Sequence, residues 1–168
     1  MANTYTKIAS YTVSTAGVTA INFSSIPQTY TDLVCQLSTR GSSAAIFDYT
    51  TFALNNGVSA EVIRLQGVSN GAPNSGRSAG TSNFIINGAN ATANVFSSSE
   101  VYMPNYTSTL NKSLVINTVT ENNGATSYQE LNAVWYNQGV NPINFIQITG
   151  TTYAINTVAT LYGIKNTA

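Results

Sequence analysis

The chain has 168 residues, enough for one domain whose core needs neither a disulfide nor a metal. Only 7% of them are charged, against about a quarter in an ordinary soluble domain, and six basic side chains balance six acidic ones. Scattered in this way they form no basic stripe or polybasic cluster, which excludes an electrostatic footprint for nucleic acid or an anionic membrane, and no stretch approaches the roughly 18 apolar residues of a membrane helix.

Read in chain order, the pattern is β almost throughout. Residues 5–13 (YTKIASYTV) and 18–23 (VTAINF) are short runs of Thr, Val, Ile and Tyr, side chains that suit a pleated surface. Pro27 turns the following SSIPQTY, because a residue without an N–H is excluded from a central strand. DLVCQLSTR (32–40) alternates and puts Leu33, Cys35 and Leu37 on one face. FDYTTFALN (47–55) and EVIRLQGV (61–68) flank Asn56-Gly57, whose tolerance of positive φ predicts a hairpin. Residues 69–82 are so rich in Gly, Pro, Asn and Ser that they read as a surface loop.

FIIN (84–87) ends in Asn87-Gly88, and NVFSSSEVYM (94–103) and KSLVINTVT (112–120) follow. Asn123-Gly124 turns the chain into SYQELNAVWYN (127–137), and INFIQITG (143–150) and TVATLYGI (157–164) close the series. Some ten strands with frequent turn signals and no helical period predict an all-β fold. The expected form is a single antiparallel β-sandwich of jelly-roll type over residues 1–168, with 1–15 either a contact arm or an edge strand.

The chain contains no histidine, which removes Ser-His-Asp and Cys-His catalysis and the usual zinc ligand sets. No phosphate loop of the GxxxxGK or GxGxxG type occurs. Glu100 and Glu130 lie mid-strand and are the remaining pair for carboxylate catalysis; otherwise each faces solvent or an arginine among Arg40, Arg64 and Arg77. Asp32 and Asp48 are isolated and no Asp-x-Asp loop exists, so neither a metal nor a cofactor is assigned. The single cysteine, Cys35, sits where a small buried thiol is expected. Asn-x-Ser/Thr triplets stand at Asn22, Asn90, Asn105 and Asn111. Chance placement in a chain this rich in Asn, Ser and Thr gives about five, so composition accounts for them.

Within 127–137, Leu131, Ala133 and Trp135 recur at period two, which predicts a core face carrying Trp135 and an exposed Tyr136. Tyrosine offers a large contact area at low entropy cost and is enriched at interfaces. The candidate contact residues are therefore Tyr5, Tyr11, Tyr102, Tyr106 and Tyr136, with Arg77 and Asn105 beside them.

Five phrases in combination, MANTYTKIAS (1–10), SSIPQTYTDLV (24–34), EVYMPNYTS (100–108), TVTENN (118–123) and LYGIKN (161–166), resemble a group of small jelly-roll virion proteins of tailed bacteriophages, notably those infecting cyanobacteria and other aquatic bacteria. The resemblance runs from end to end. It implies a non-enzymatic protein made in the host bacterial cytoplasm and carried on the outer surface of the capsid as a decoration, or cement, protein. Its implied partners are copies of itself, as a trimer matching a local three-fold axis of the shell, and the major capsid protein of the phage. The alternative is a receptor- or glycan-binding module of a tail or neck fibre, with a host surface glycan as ligand. No functional residues transfer with the resemblance. A protein made in that compartment needs no disulfide, and MANTYTKIAS lacks the apolar core of a secretion signal.

Overall fold

The Thr-, Val-, Ile- and Tyr-rich runs form strands because branched and aromatic side chains pack well on a pleated surface. A computed structural model describes residues 4–165 apart from 56, 58, 59, 70, 123–127 and 137–140. Among the described residues the strands are β1 (Thr4–Thr12), β2 (Ala20–Phe23), β3 (Asp32–Thr39), β4 (Phe47–Leu54), β5 (Ala60–Val68), β6 (Asn74–Gly80), β7 (Asn83–Asn87), β8 (Ser97–Met103), β9 (Lys112–Thr120), β10 (Tyr128–Tyr136), β11 (Ile146–Gly150) and β12 (Val158–Lys165). They build an eight-stranded sheet, in the order β1-β12-β3-β8-β9-β10-β5-β6, and a four-stranded sheet, β2-β11-β4-β7. All the strand pairs are antiparallel.

One apolar cluster joins the sheets, with Ile21, Phe52, Phe84 and Ile148 from the small sheet and Leu33, Val101, Ile116 and Leu161 from the large one. Burying a side chain of this kind is worth about 1.5–3 kcal/mol, and a one-residue slip of register would forfeit it along a whole strand. Cys35 is buried in this cluster as predicted, and burial pushes its thiol pKa up.

Towards one end the inner face of the large sheet becomes polar. A cross-strand row runs Ser99, Thr118, Glu130, Gln66 and Asn74 through β8, β9, β10, β5 and β6. The Ser99 and Thr118 hydroxyls lie 2.7 Å apart. Gln66 Nε2 donates to Glu130 Oε2 at 3.2 Å, Asn132 Nδ2 donates to Glu130 Oε1 at 2.6 Å, and Arg64 Nε lies 3.3 Å from the same carboxylate. Burial raises the pKa of Glu130, against the pull of these donors. Arg40 is held without a carboxylate: its guanidinium donates to the carbonyls of Ala89, Ala91, Thr92 and Val95 at 2.5–3.0 Å and so pins the connection between β7 and β8.

Two expectations about the strands and turns are corrected by the structure. Residues 69–82 are more than a loop, since they carry β6, an edge strand exposed at all seven positions. Backbone pairing with β5 holds β6 and no packed side chain does, so the strand leaves no hydrophobic signature. Asn56-Gly57 does not close a hairpin, because β4 and β5 lie in different sheets. Gly57, at φ +83°, instead helps carry the chain across, its N–H donating to the Leu54 carbonyl at 3.1 Å; Asn56 lies outside the described residues. Asn123-Gly124 is also outside them, but the flanking β9 and β10 pair antiparallel, with Thr120 opposite Tyr128. Over Thr4–Thr12 the N-terminal segment is an edge strand, paired with β12.

Candidate functional site

Directly opposed residues on neighbouring strands point to the same face, so the register defines rows across a sheet. On the outer face of the large sheet one row runs unbroken through all eight strands: Lys7, Tyr162, Val34, Tyr102, Val115, Ala133, Ile63 and Arg77. Its six inner members are apolar or aromatic, and a cation stands at each end. The row beside it is polar from Ser10 to Asn117 and then continues with Leu131 and Leu65. Seven outward side chains on β8, β9, β10 and β5, namely Tyr102, Val115, Val119, Leu131, Trp135, Ile63 and Leu65, are 37–58% exposed. At about 200 Å² for a fully exposed side chain of this size, that is roughly 600 Å² of apolar surface, the upper end of what a monomer carries.

Within this face lies an open groove of about 450 Å³, bounded by Ile63, Tyr102, Pro104, Val115, Ala133 and Trp135, with Glu61 at its rim. Glu61 stands opposite Trp135 and pairs with Arg77 at 2.6 Å, so the charges of the rim neutralise each other. Tyr102 is fixed by its hydroxyl, which donates to Asp32 Oδ2 at 2.9 Å. Its pKa is raised by burial and then by the Asp32 carboxylate. A second depression of about 310 Å³, lined by Leu65, Gly67, Pro73, Gln129 and Leu131, continues the face along β5 and β10.

The predicted contact residues divide into several places. Tyr5 and Tyr102 lie on the outer face, and Tyr5 packs edge-on against Tyr162 with centroids 6.0 Å apart. A bulge between Lys7 and Ala9 reverses the facing along β1, so Tyr11, opposite Ala159, turns to the other side of the sheet while staying partly exposed. Arg77 is exposed on the edge strand. Asn105 is exposed at φ +49°, with its N–H donating to Asp32 Oδ1 at 2.8 Å.

Tyr106 and Tyr136, expected at the surface, are buried. The Tyr106 hydroxyl donates to the Pro27 carbonyl, and burial raises its pKa. The Tyr136 hydroxyl reaches the Phe52 carbonyl and the Ser82 hydroxyl, and burial pushes its pKa up to about 12. The faces of β10 are therefore the reverse of those predicted. Glu130, Asn132, Val134 and Tyr136 point inward, and Leu131, Ala133 and Trp135 point out. Glu100 is exposed on the outer face and Glu130 is buried on the inner one, so the two carboxylates do not converge.

No family model, curated protein or solved structure matches the chain. The chemistry of the face is thus read from its own residues. Among the described residues, no three of Asp, Glu, Cys or His gather as a metal site. What the outer face offers is an apolar, aromatic surface of low net charge suited to binding.

Proposed function

We propose that this chain is a non-enzymatic structural protein of a tailed-phage virion, a capsid decoration protein that meets other protein through the outer face of its large sheet. The observation that carries the reading is the apolar patch on β8, β9, β10 and β5 of that face, where Tyr102, Val115, Leu131, Trp135, Ile63 and Leu65 stay open to solvent on the isolated chain. The aromatic, charge-poor composition of this surface suits protein contact. The separation of Glu100 from Glu130 supports a role other than hydrolysis. Successive strands pass back and forth between the sheets except at the β5–β6 pair and the β8–β10 meander, which supports a jelly roll expanded at those two positions. The virion assignment rests on the end-to-end sequence resemblance. Copies of the chain would associate as a trimer on a local three-fold axis and clamp neighbouring coat subunits by adding buried interface.

The second reading, a receptor- or glycan-binding module of a fibre, is favoured by Trp135, a half-exposed indole beside Glu61 and Arg77 that is suited to stacking on a sugar ring. The deciding experiment is the number of copies per purified particle, measured by quantitative mass spectrometry against the major coat protein. About one copy per coat subunit is the expected result. A few tens of copies would select the fibre reading, and absence from the particle would remove both.

A further inference from the structure

We infer that the groove between Ile63 and Trp135 is occupied by a second copy of this chain, which inserts its Leu110. The inference rests on the reading of the outer face as a protein contact and names the partner. Leu110 is 70% exposed, more than any other large apolar side chain among the described residues. It lies on the connection between β8 and β9, and Pro104 at the start of that connection and Ser113 early in β9 line the groove, so the knob stands beside the hole.

The connection is built to hold this side chain in water. The Lys112 ammonium, itself buried, donates to the carbonyls of Ser108 at 2.6 Å and Leu110 at 2.5 Å. The Leu110 N–H donates to the Ser108 hydroxyl at 3.0 Å, and the Ser108 N–H donates to the Asn105 carbonyl at 3.1 Å. Burying an ammonium is costly, and here it rigidifies a surface turn that presents an apolar side chain. A pre-formed knob loses little entropy on docking.

Two further observations fit a second copy as the occupant. The apolar surface of roughly 600 Å² approaches the roughly 800 Å² per partner of a stable interface. The rim pair Glu61–Arg77 is satisfied within one chain, so the groove itself presents little uncompensated charge to a second copy, while Glu100 and Lys7, the other charges of the face, lie outside the groove lining.

The test is sedimentation velocity on the full chain from micromolar to hundred-micromolar concentration, alongside the emission of Trp135, the only tryptophan and a member of the groove. The wild type is expected to run at two or three times the 17.8 kDa chain mass, with a blue shift of Trp135 emission as it associates. Leu110→Asp and Ile63→Asp should each weaken association at least about tenfold while keeping the native circular dichroism. Ile155→Ser removes a comparably exposed side chain remote from the groove lining and should associate like the wild type. A monomer at all concentrations would overturn the inference, as would an oligomer that both aspartate variants leave intact. Copy number in the particle separates this result from the proposed role. A monomeric protein found on capsids would overturn the self-contact alone, and an oligomer absent from particles would overturn the role alone.

Discussion

The reversed faces of β10 make a sharp prediction, because its neighbouring positions should respond oppositely to truncation. Tyr136 is 2% exposed, and Tyr136→Ala removes a buried ring together with a hydroxyl that serves the Phe52 carbonyl and Ser82. Aromatic truncations of this kind cost about 3–5 kcal/mol. Tyr136→Phe keeps the ring, and the Ser82 hydroxyl still reaches the Phe52 carbonyl, so its cost should be about 1 kcal/mol. Leu131 is 41% exposed, and Leu131→Thr preserves strand propensity on the outer face; its cost should stay below about 1 kcal/mol. With a urea dependence of about 2 kcal/mol per molar, these values move the unfolding midpoint by about 2 M, about 0.5 M and less than 0.5 M respectively. Urea titrations read by far-UV circular dichroism at low micromolar concentration keep association out of the comparison. A midpoint loss on Leu131→Thr that equals or exceeds that on Tyr136→Ala would refute the assignment of faces.

Three other outcomes are expected. Burial raises the Glu130 pKa above its unfolded value, so the folded state holds this proton more tightly; the resulting stability is present below the ordinary carboxylate range and is lost as pH rises through the raised value. Glu130→Gln should flatten that decline in urea midpoints taken between about pH 4 and pH 8. A Cβ at Gly163 would stand 2.3 Å from the Tyr30 ring, so Gly163→Ala should cost about 2–3 kcal/mol in thermal unfolding, whereas Gly67→Ala, with nothing within 4 Å, should be close to neutral. Arg40→Met strands four carbonyls and should cost about 2–4 kcal/mol, with hydrogen exchange accelerating first in residues 88–96.

The two-sheet fold was legible because most strands alternate and the turn residues mark their ends. β6 was not legible, since NSGRSAG buries no side chain and backbone pairing writes nothing into hydropathy. The site was missed for a different reason. On β9, β10 and β5 both faces carry apolar residues: Leu114 and Ile116 oppose Val115 and Val119, Val134 and Tyr136 oppose Leu131 and Trp135, and Val62 opposes Ile63 and Leu65. Period two then cannot tell the core from a second contact face, and on β10 the inner face looks the more polar because Glu130 and Asn132 are paired inside it. The available signal was the coincidence itself, since strands apolar on both faces need cover on both sides. The tyrosines were a weaker guide, because their hydroxyls allow burial wherever a carbonyl is in reach, as at Tyr106 and Tyr136.

A sheet protein with so little charge must also keep its strand edges from pairing with other chains, and the four edges here are each blunted. β1 is kinked by its bulge and carries Lys7, β6 has two glycines and no β-branched residue, and β2 has only four residues. β7 turns its edge toward the large sheet, where the Thr118 hydroxyl donates to the Ile85 carbonyl at 3.0 Å and the Glu121 N–H donates to Asn87 Oδ1 at 3.1 Å. Open-ended growth by strand addition is therefore disfavoured, and the apolar surface that remains exposed is the outer face with its groove and Leu110. Under the proposed self-contact, two copies that exchange Leu110 reciprocally about a two-fold axis close on themselves, whereas head-to-tail insertion closes only if the rotation between copies returns to its start. A closed contact of this kind is what the proposed shell-decorating role would need.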